Sequence, residues 1–231
     1  MSEIPTEKFL IVERKEHRGQ QGLLVQFNNP ASEANCIPRE ALEEIHTVLE
    51  EHEGDKRLTF ILLYEKSRRI HAGADISLFA GDINPQAVLE YLMAGARLAF
   101  KFNEVSKKIR TVSVMEGESY GGSVELPLMA EYSICAPGTH IQFSEVNLGI
   151  IPGWAGIANL MLRSNRENAL YLAATGERMD AQKMLAAGIV CEIQPEESLL
   201  ESALDLGVSG KISPPGRIKT FMTRSELESK V

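Results

Sequence analysis

The chain has 231 residues, 44% of them hydrophobic and 24% charged, which suits one sizeable core or two small ones in a soluble globular protein. Its formal net charge of −8 argues against binding a nucleic-acid backbone through a global positive field. Cys36, Cys135 and Cys191 are far apart and show no metal or redox spacing, so they read as buried free thiols in a reducing compartment. Met1 to Lys8 is polar without a signal-peptide core, and no apolar run approaches a membrane span. The expectation is a cytoplasmic protein with no membrane and no nucleic-acid partner.

Phe9 to Glu13 and Gly22 to Phe27 read as strands joined by a polar turn at Arg18-Gly19-Gln20. Pro38 to His52 reads as a helix with Leu42, Ile45, Val48 and Leu49 on one face. The apolar run Leu58 to Leu63 then suggests a buried strand of an α/β sheet. It leads to Ile70-His71-Ala72-Gly73-Ala74-Asp75-Ile76, whose small residues bring bare backbone to a surface. Asn84-Pro85 is a helix start, with Asn as cap and Pro at the first position. Val88, Leu92, Ala96, Ala99, Phe102, Val105 and Ile109 follow at three- and four-residue steps, which makes a long amphipathic helix.

The strand Val112 to Met115 runs into Ser119-Tyr120-Gly121-Gly122-Ser123-Val124-Glu125-Leu126, from which a helix should leave toward Ala130. Unpaired N–H groups converging at such a helix start suit an anion, or an oxygen that becomes one during a reaction. Glu125, one turn on, places a carboxylate beside those donors. Taken alone, the stretch is also consistent with a glycine turn carrying a dipole-stabilising Glu. Tyr132 to Cys135 returns as a strand, a Pro137-Gly138 turn precedes Ile141 to Glu145, and Ile150 to Gly156 is a second glycine-punctuated loop. Arg166 to Ala174 and Asp180 to Ala187 read as helices, the second stopped by Gly188. Ile189 to Ile193 reads as a strand and Pro195 to Leu206 as another helix, ahead of a charged tail from Pro214 to Val231.

Four ordered segments resemble the crotonase (enoyl-CoA hydratase/isomerase) superfamily. They are His71 to Ile76, Gly117 through Gly121 to Leu126, Phe143 to Gly153, and Thr175 to Gln182 with Ala187 to Val190. The resemblance runs from about Phe9 to Glu201. It implies an α/β fold, a crotonase-like spiral of ββα units with a shortened C-terminal helical region. The chain would divide into a core domain at 1–200 and a helical tail at 201–231. It also implies an acyl-coenzyme A thioester as substrate, a homotrimer or a dimer of trimers, and no cofactor or metal, coenzyme A being part of the substrate.

Carried over residue by residue, the resemblance implies that the backbone N–H groups of Ala74 and Gly122 form an oxyanion hole for the thioester carbonyl. Glu125 and Glu145 fall where the hydratases of the family keep two catalytic carboxylates. Ala72, Gly73, Asp75, Gly121, Gly153 and Trp154 are the expected substrate-binding residues, while Arg68 and Arg69 read first as exposed, solvated charges and second as contacts for the coenzyme A phosphates. The implied reaction adds water to a 2-enoyl thioester through an enolate. Glu125, near a helix start, is expected to be the ionised base that activates water. Burial of Glu145 should raise its pKa and make it the proton donor to Cα, with the reversed or shared assignment of the two carboxylates left open by the sequence. The same groups also suit double-bond isomerisation, hydrolytic cleavage of a β-dicarbonyl, or a non-catalytic acyl-CoA-binding scaffold. Four residues depart from the pattern, of which Ser123 and Val124 are small enough to be tolerated. Pro127 would break a helix that ran through it, and Glu118 would oppose an enolate if it faced inward.

Overall fold

Continuously apolar central strands carry a packed layer on each face of one sheet. The computed structural model describes residues 9–65, 70–79 and 82–210. Arg68, Arg69 and the tail from Pro214 to Val231 lie outside the described residues. Strands β1 (Leu10–His17) and β2 (Gln20–Phe27) form a hairpin, with Arg18 and Gly19 both at positive φ in the turn. Helix α1 (Arg39–His52) buries Ala41, Leu42, Ile45 and Leu49. It is followed by β3 (Leu58–Glu65) and the two-residue β4 (Ile70–His71). Helix α2 (Pro85–Ser106) starts under the Asn84 side chain, which accepts from the N–H groups of Gln86 and Ala87. Such a cap is worth about 1 kcal/mol.

The second half is cut into shorter pieces. Strands β5 (Arg110–Met115) and β6 (Glu118–Tyr120) precede a single helical turn, α3 (Gly122–Glu125). Then come β7 (Tyr132–Cys135), β8 (His140–Gln142), α4 (Gly156–Arg163) and α5 (Arg166–Thr175). The described chain ends with β9 (Met179–Asp180), α6 (Ala181–Ala186), β10 (Glu192–Ile193) and α7 (Glu196–Ser209).

The large sheet runs β1-β2-β3-β5-β7-β10, parallel except for the first hairpin. Strand β3 shows the layering. Ile61 and Leu63 face the core shared with α1, α2 and Trp154, while Phe60 and Leu62 face the core under α7. Successive side chains of a strand point to opposite faces, so a strand covered on both sides must be apolar throughout. The second sheet has four short strands, β4-β6-β8-β9, parallel except for the last pair. A third apolar cluster, with Phe143, Leu160, Leu172 and Met184, packs beneath it.

Several elements differ from the sequence reading. The helix expected to run from Gly122 toward Ala130 is one turn long. It ends at Glu125, and a separate 3₁₀ turn, Pro127–Met129, begins at the proline. Pro127 therefore opens a turn, where its missing N–H is harmless, and does not kink a helix. The buried stripe of α2 is Tyr91, Ala94, Gly95, Leu98, Phe102 and Val105. Val88, Leu92, Ala96 and Ala99 flank that stripe half-buried. Helix α4 is an element that the glycine-rich loop before it concealed. The strand expected over Ile189 to Ile193 is reduced to its last two residues. Helix α7 runs through position 200 and packs on the large sheet by Leu199, Ala203, Leu204 and Leu206. Among the described residues, no helix is long and apolar enough to cross a membrane.

Candidate active site

Three neighbouring strands of the small sheet each lead into one part of a cavity. His71 of β4 pairs with Ser119 of β6, and Ser119 pairs with Ile141 of β8. Ala74 lies three residues past His71, and Gly122 lies three past its ladder partner Ser119. Glu145 lies four past Ile141, in the 3₁₀ turn Ser144–Leu148 that continues β8. Parallel pairing keeps equivalent residues level, so three distant segments end side by side.

The loop carrying Ala74 is held by its own backbone. The Ala72 N–H donates to the Ala34 carbonyl at 2.8 Å, and the Ile37 N–H donates to the Gly73 carbonyl at 2.7 Å. The Gly73 N–H donates to Ser123 Oγ at 3.0 Å, which ties this loop to α3. Gly73 has φ +74, and a Cβ there would stand 2.3 Å from the Tyr120 carbonyl oxygen and 2.7 Å from the Gly122 nitrogen. Only glycine permits both the backbone angle and that approach. Among the described residues, no backbone carbonyl accepts the N–H of Ala74 or Gly122. Both residues line the cavity.

The two carboxylates enter the same cavity from different elements. Glu125 is buried on α3, and its Oε1 accepts from the N–H groups of Trp154 and Gly156, both at 2.8 Å. Its Oε2 accepts a longer bond, 3.3 Å, from Gly153. Burial first, then the charge of Glu145, push the Glu125 carboxyl up to about 7, against the pull of those three N–H groups. The expected help from a helix dipole is absent, because α3 is a single turn and Glu125 is its last residue. What favours the ionised form is the loop after Pro152, which arrives from far along the chain. Glu145 is also buried, and that burial raises its pKa as the sequence suggested. Its Oε2 is buried without a hydrogen-bond partner among the described residues.

Two like charges in one dry site resist simultaneous ionisation, so across neutral pH the pair tends to hold one proton between them. Three N–H groups favour charge on Glu125, while its burial and the charge of Glu145 oppose it.

The cavity, about 480 Å³ with its open mouth, is otherwise apolar, walled by Ile76, Phe79, Leu148 and Ile151. Ala72, Ala74, Gly121, Gly122, Glu125, Glu145, Gly153 and Trp154 all line it, as the sequence grouped them. Gly73 and Asp75 do not. Gly73 is pressed behind the wall against Gly122, and Asp75 is exposed, its Oδ1 accepting from the Ser77 N–H. Trp154 is both a wall and a core wedge. It is 2% exposed and meets Tyr91 edge-to-face with centroids 5.1 Å apart. A Cβ on Gly95 or Gly122 would collide with its indole. Glu118 faces elsewhere and binds the Tyr120 hydroxyl and Arg178.

Sequence reasoning passed over Tyr91, Leu92 and Ser123. Tyr91 and Leu92 line the cavity, and the Tyr91 hydroxyl donates to the Ile37 carbonyl at 2.9 Å. Ser123 was readable only as a small residue. Its partner Gly73 is fifty positions away.

Comparison with known proteins adds a lineage to this geometry. A family model described as enoyl-CoA hydratase/isomerase matches residues 18–228. The fatty acid oxidation complex subunit alpha of Shewanella putrefaciens is 28% identical over 214 residues. That match takes in 89% of this chain and 29% of the relative, so the chain spans under a third of that protein's length. Among solved structures, DspI of Pseudomonas aeruginosa superposes with a TM-score of 0.78 at 21% identity, over 90% of this chain and 82% of that one. An enoyl-CoA hydratase of Bacillus anthracis gives 0.75 at 23% identity, over 87% and 76%. At such identities these two likenesses concern the fold.

Proposed function

The chain belongs to the enoyl-CoA hydratase/isomerase family and has its crotonase-like α/β fold, and on that premise we propose that it hydrates 2-enoyl-CoA thioesters. The observation that carries this reading is the convergence of two buried carboxylates and two backbone N–H groups on one apolar cavity. The thioester carbonyl oxygen sits between the N–H groups of Ala74 and Gly122. Ionised Glu125 takes a proton from water, and the oxygen of that water adds to Cβ. The electron pair of the double bond moves to the thioester oxygen as an enolate, which the two donors stabilise by roughly 3–4 kcal/mol each. Protonated Glu145 then delivers its proton to Cα. A base with a pKa close to 7 suits work at neutral pH. No redox cofactor or metal enters this scheme, and coenzyme A is part of the substrate.

Mass spectrometry of saturated, 2-enoyl, 3-enoyl and 3-oxoacyl-CoA thioesters incubated in heavy water tests the reading. Net addition of water to a 2-enoyl thioester is the expected result. Deuterium at Cα without hydration would replace it with isomerisation at the same enolate site. Cleavage of a 3-oxoacyl thioester would replace it with β-dicarbonyl hydrolysis. Binding without labelling or turnover would leave an acyl-CoA-binding scaffold. For assembly, the proposal is the family's homotrimer or dimer of trimers. Phe100 and Leu162, 75% and 80% exposed on one groove, are surfaces it could cover. Sedimentation velocity tests that assembly.

A further inference from the structure

Behind the Ala74 loop lies a buried carboxylate–imidazole contact that the reaction scheme does not use. Glu65 ends β3 of the large sheet, and His71 ends β4 of the small one. His71 Nδ1 stands 2.7 Å from Glu65 Oε2, with the two side chains only 2% and 7% exposed. Asn35, fully buried and at φ 50, places its Nδ2 3.3 Å from the same ring nitrogen. The Asn35 Oδ1 is held by the Asn29 N–H at 2.7 Å, which fixes the amide's orientation. Glu116 and Ser119 border the pair. Glu116 accepts from the Tyr64 hydroxyl.

This cluster sits on the last ladder row before the two proposed oxyanion donors, since His71 pairs with Ser119. Its neighbours also hold the loop from the other side. Ala34 and Ile37 flank Asn35 and make the backbone bonds to Ala72 and Gly73. Buried charges are expensive unless paired, so a carboxylate and an imidazole placed here constrain the backbone that carries them.

We propose that the Glu65–His71 pair is a positioning element for the Ala74 N–H, joining the large sheet to the strand that presents it. The inference rests on the oxyanion reading of the site. Neither side chain touches substrate. The pair acts by holding β4 at the height where Ala74 is level with Gly122. Displacing one donor by about an ångström is enough to lower turnover on the order of 100-fold.

The test is the carbonyl stretch of bound butyryl-CoA, carbon-13 labelled at the thioester, in the full chain and in His71→Ala, Glu65→Ala and His71→Asn. Wild type should lower the stretch relative to the free thioester. His71→Ala and Glu65→Ala should return it toward the free value and lower kcat with KM nearly unchanged. His71→Asn keeps a donor near the position of Nδ1 and should restore most of the shift. Circular dichroism identifies any variant that has lost the fold, and the remaining two then carry the comparison. An unshifted carbonyl in bound wild type overturns the oxyanion reading itself, and this inference with it. A shifted wild type with an equal shift in folded His71→Ala overturns only the positioning role. So does His71→Asn failing as badly as His71→Ala.

Discussion

The two sheets of this protein are built by different means. The large sheet has strands of up to eight residues, and β3 alone buries Phe60, Ile61, Leu62 and Leu63 in two separate cores. The small sheet has strands of two and three residues, with few ladder bonds. Its ends are held by polar contacts, among them Gly73 to Ser123 and His71 to Glu65. Apolar burial is non-directional and sums over area, so it makes a stable frame. Hydrogen bonds and ion pairs are directional, so they set where a few atoms stand. The frame and the register of the reacting groups are therefore separable, and mutations should divide accordingly.

Replacing Glu125 or Glu145 by Gln gives the largest effect. Each should lower turnover by about 10²- to 10⁴-fold, measured as hydration rate, while leaving the unfolding midpoint unchanged or higher. Near-normal hydration in either variant would end the two-carboxylate scheme. Phe60→Ala attacks the other sheet. Unfolding free energy should fall by about 3–5 kcal/mol in urea titration, with kcat per folded molecule little changed. If turnover fell with stability, the two sheets would not be separable.

The pH dependence comes next. Glu125 is raised from its ordinary value of 4.5 to about 7. Its folded form thus holds a proton that the unfolded chain has lost in between. The stability this group contributes is present below pH 4.5 and declines as pH rises through about 7, by up to about 3 kcal/mol. The rate moves the opposite way, because the base is active once ionised. Thermal melts from pH 5 to 8 should show that decline in wild type and a weaker one in Glu125→Gln. The hydration rate should rise through the same interval. Ser123→Ala is the mildest change. Loss of the acceptor for the Gly73 N–H should destabilise by about 1 kcal/mol and lower kcat more than it raises KM.

Much of the frame was legible because apolar periodicity is local. The run Leu58 to Leu63 and the Asn84-Pro85 cap each announce their element within a few residues. The grouping of Ala74, Gly122, Glu125 and Glu145 came from the ordered resemblance, and the cavity does contain them together. What escaped was set by contacts across the chain. The environment of Glu125 depends on N–H groups at 153, 154 and 156, and no reading of the helix around it could supply them. The loop's role as a donor surface for that carboxylate hides behind its glycines, as does the start of α4 at Gly156. Asp75 looked like part of the site by adjacency. The chain turns outward immediately after Ala74, where Asp75 is exposed and its Oδ1 accepts from the Ser77 N–H.

One consequence of the β4-β6-β8 ladder concerns descent with modification. The proposed reacting groups stand at counted distances from paired strands, while the apolar walls Ile76, Phe79, Leu148 and Ile151 belong to the turns and loops that follow. A lineage can therefore exchange or resize those walls without moving the proposed reacting groups. An inserted residue inside one of the short strands would do the reverse, silencing the chemistry while the cavity kept its shape. Specificity and reactivity in such a molecule are inherited on separate stretches of the gene.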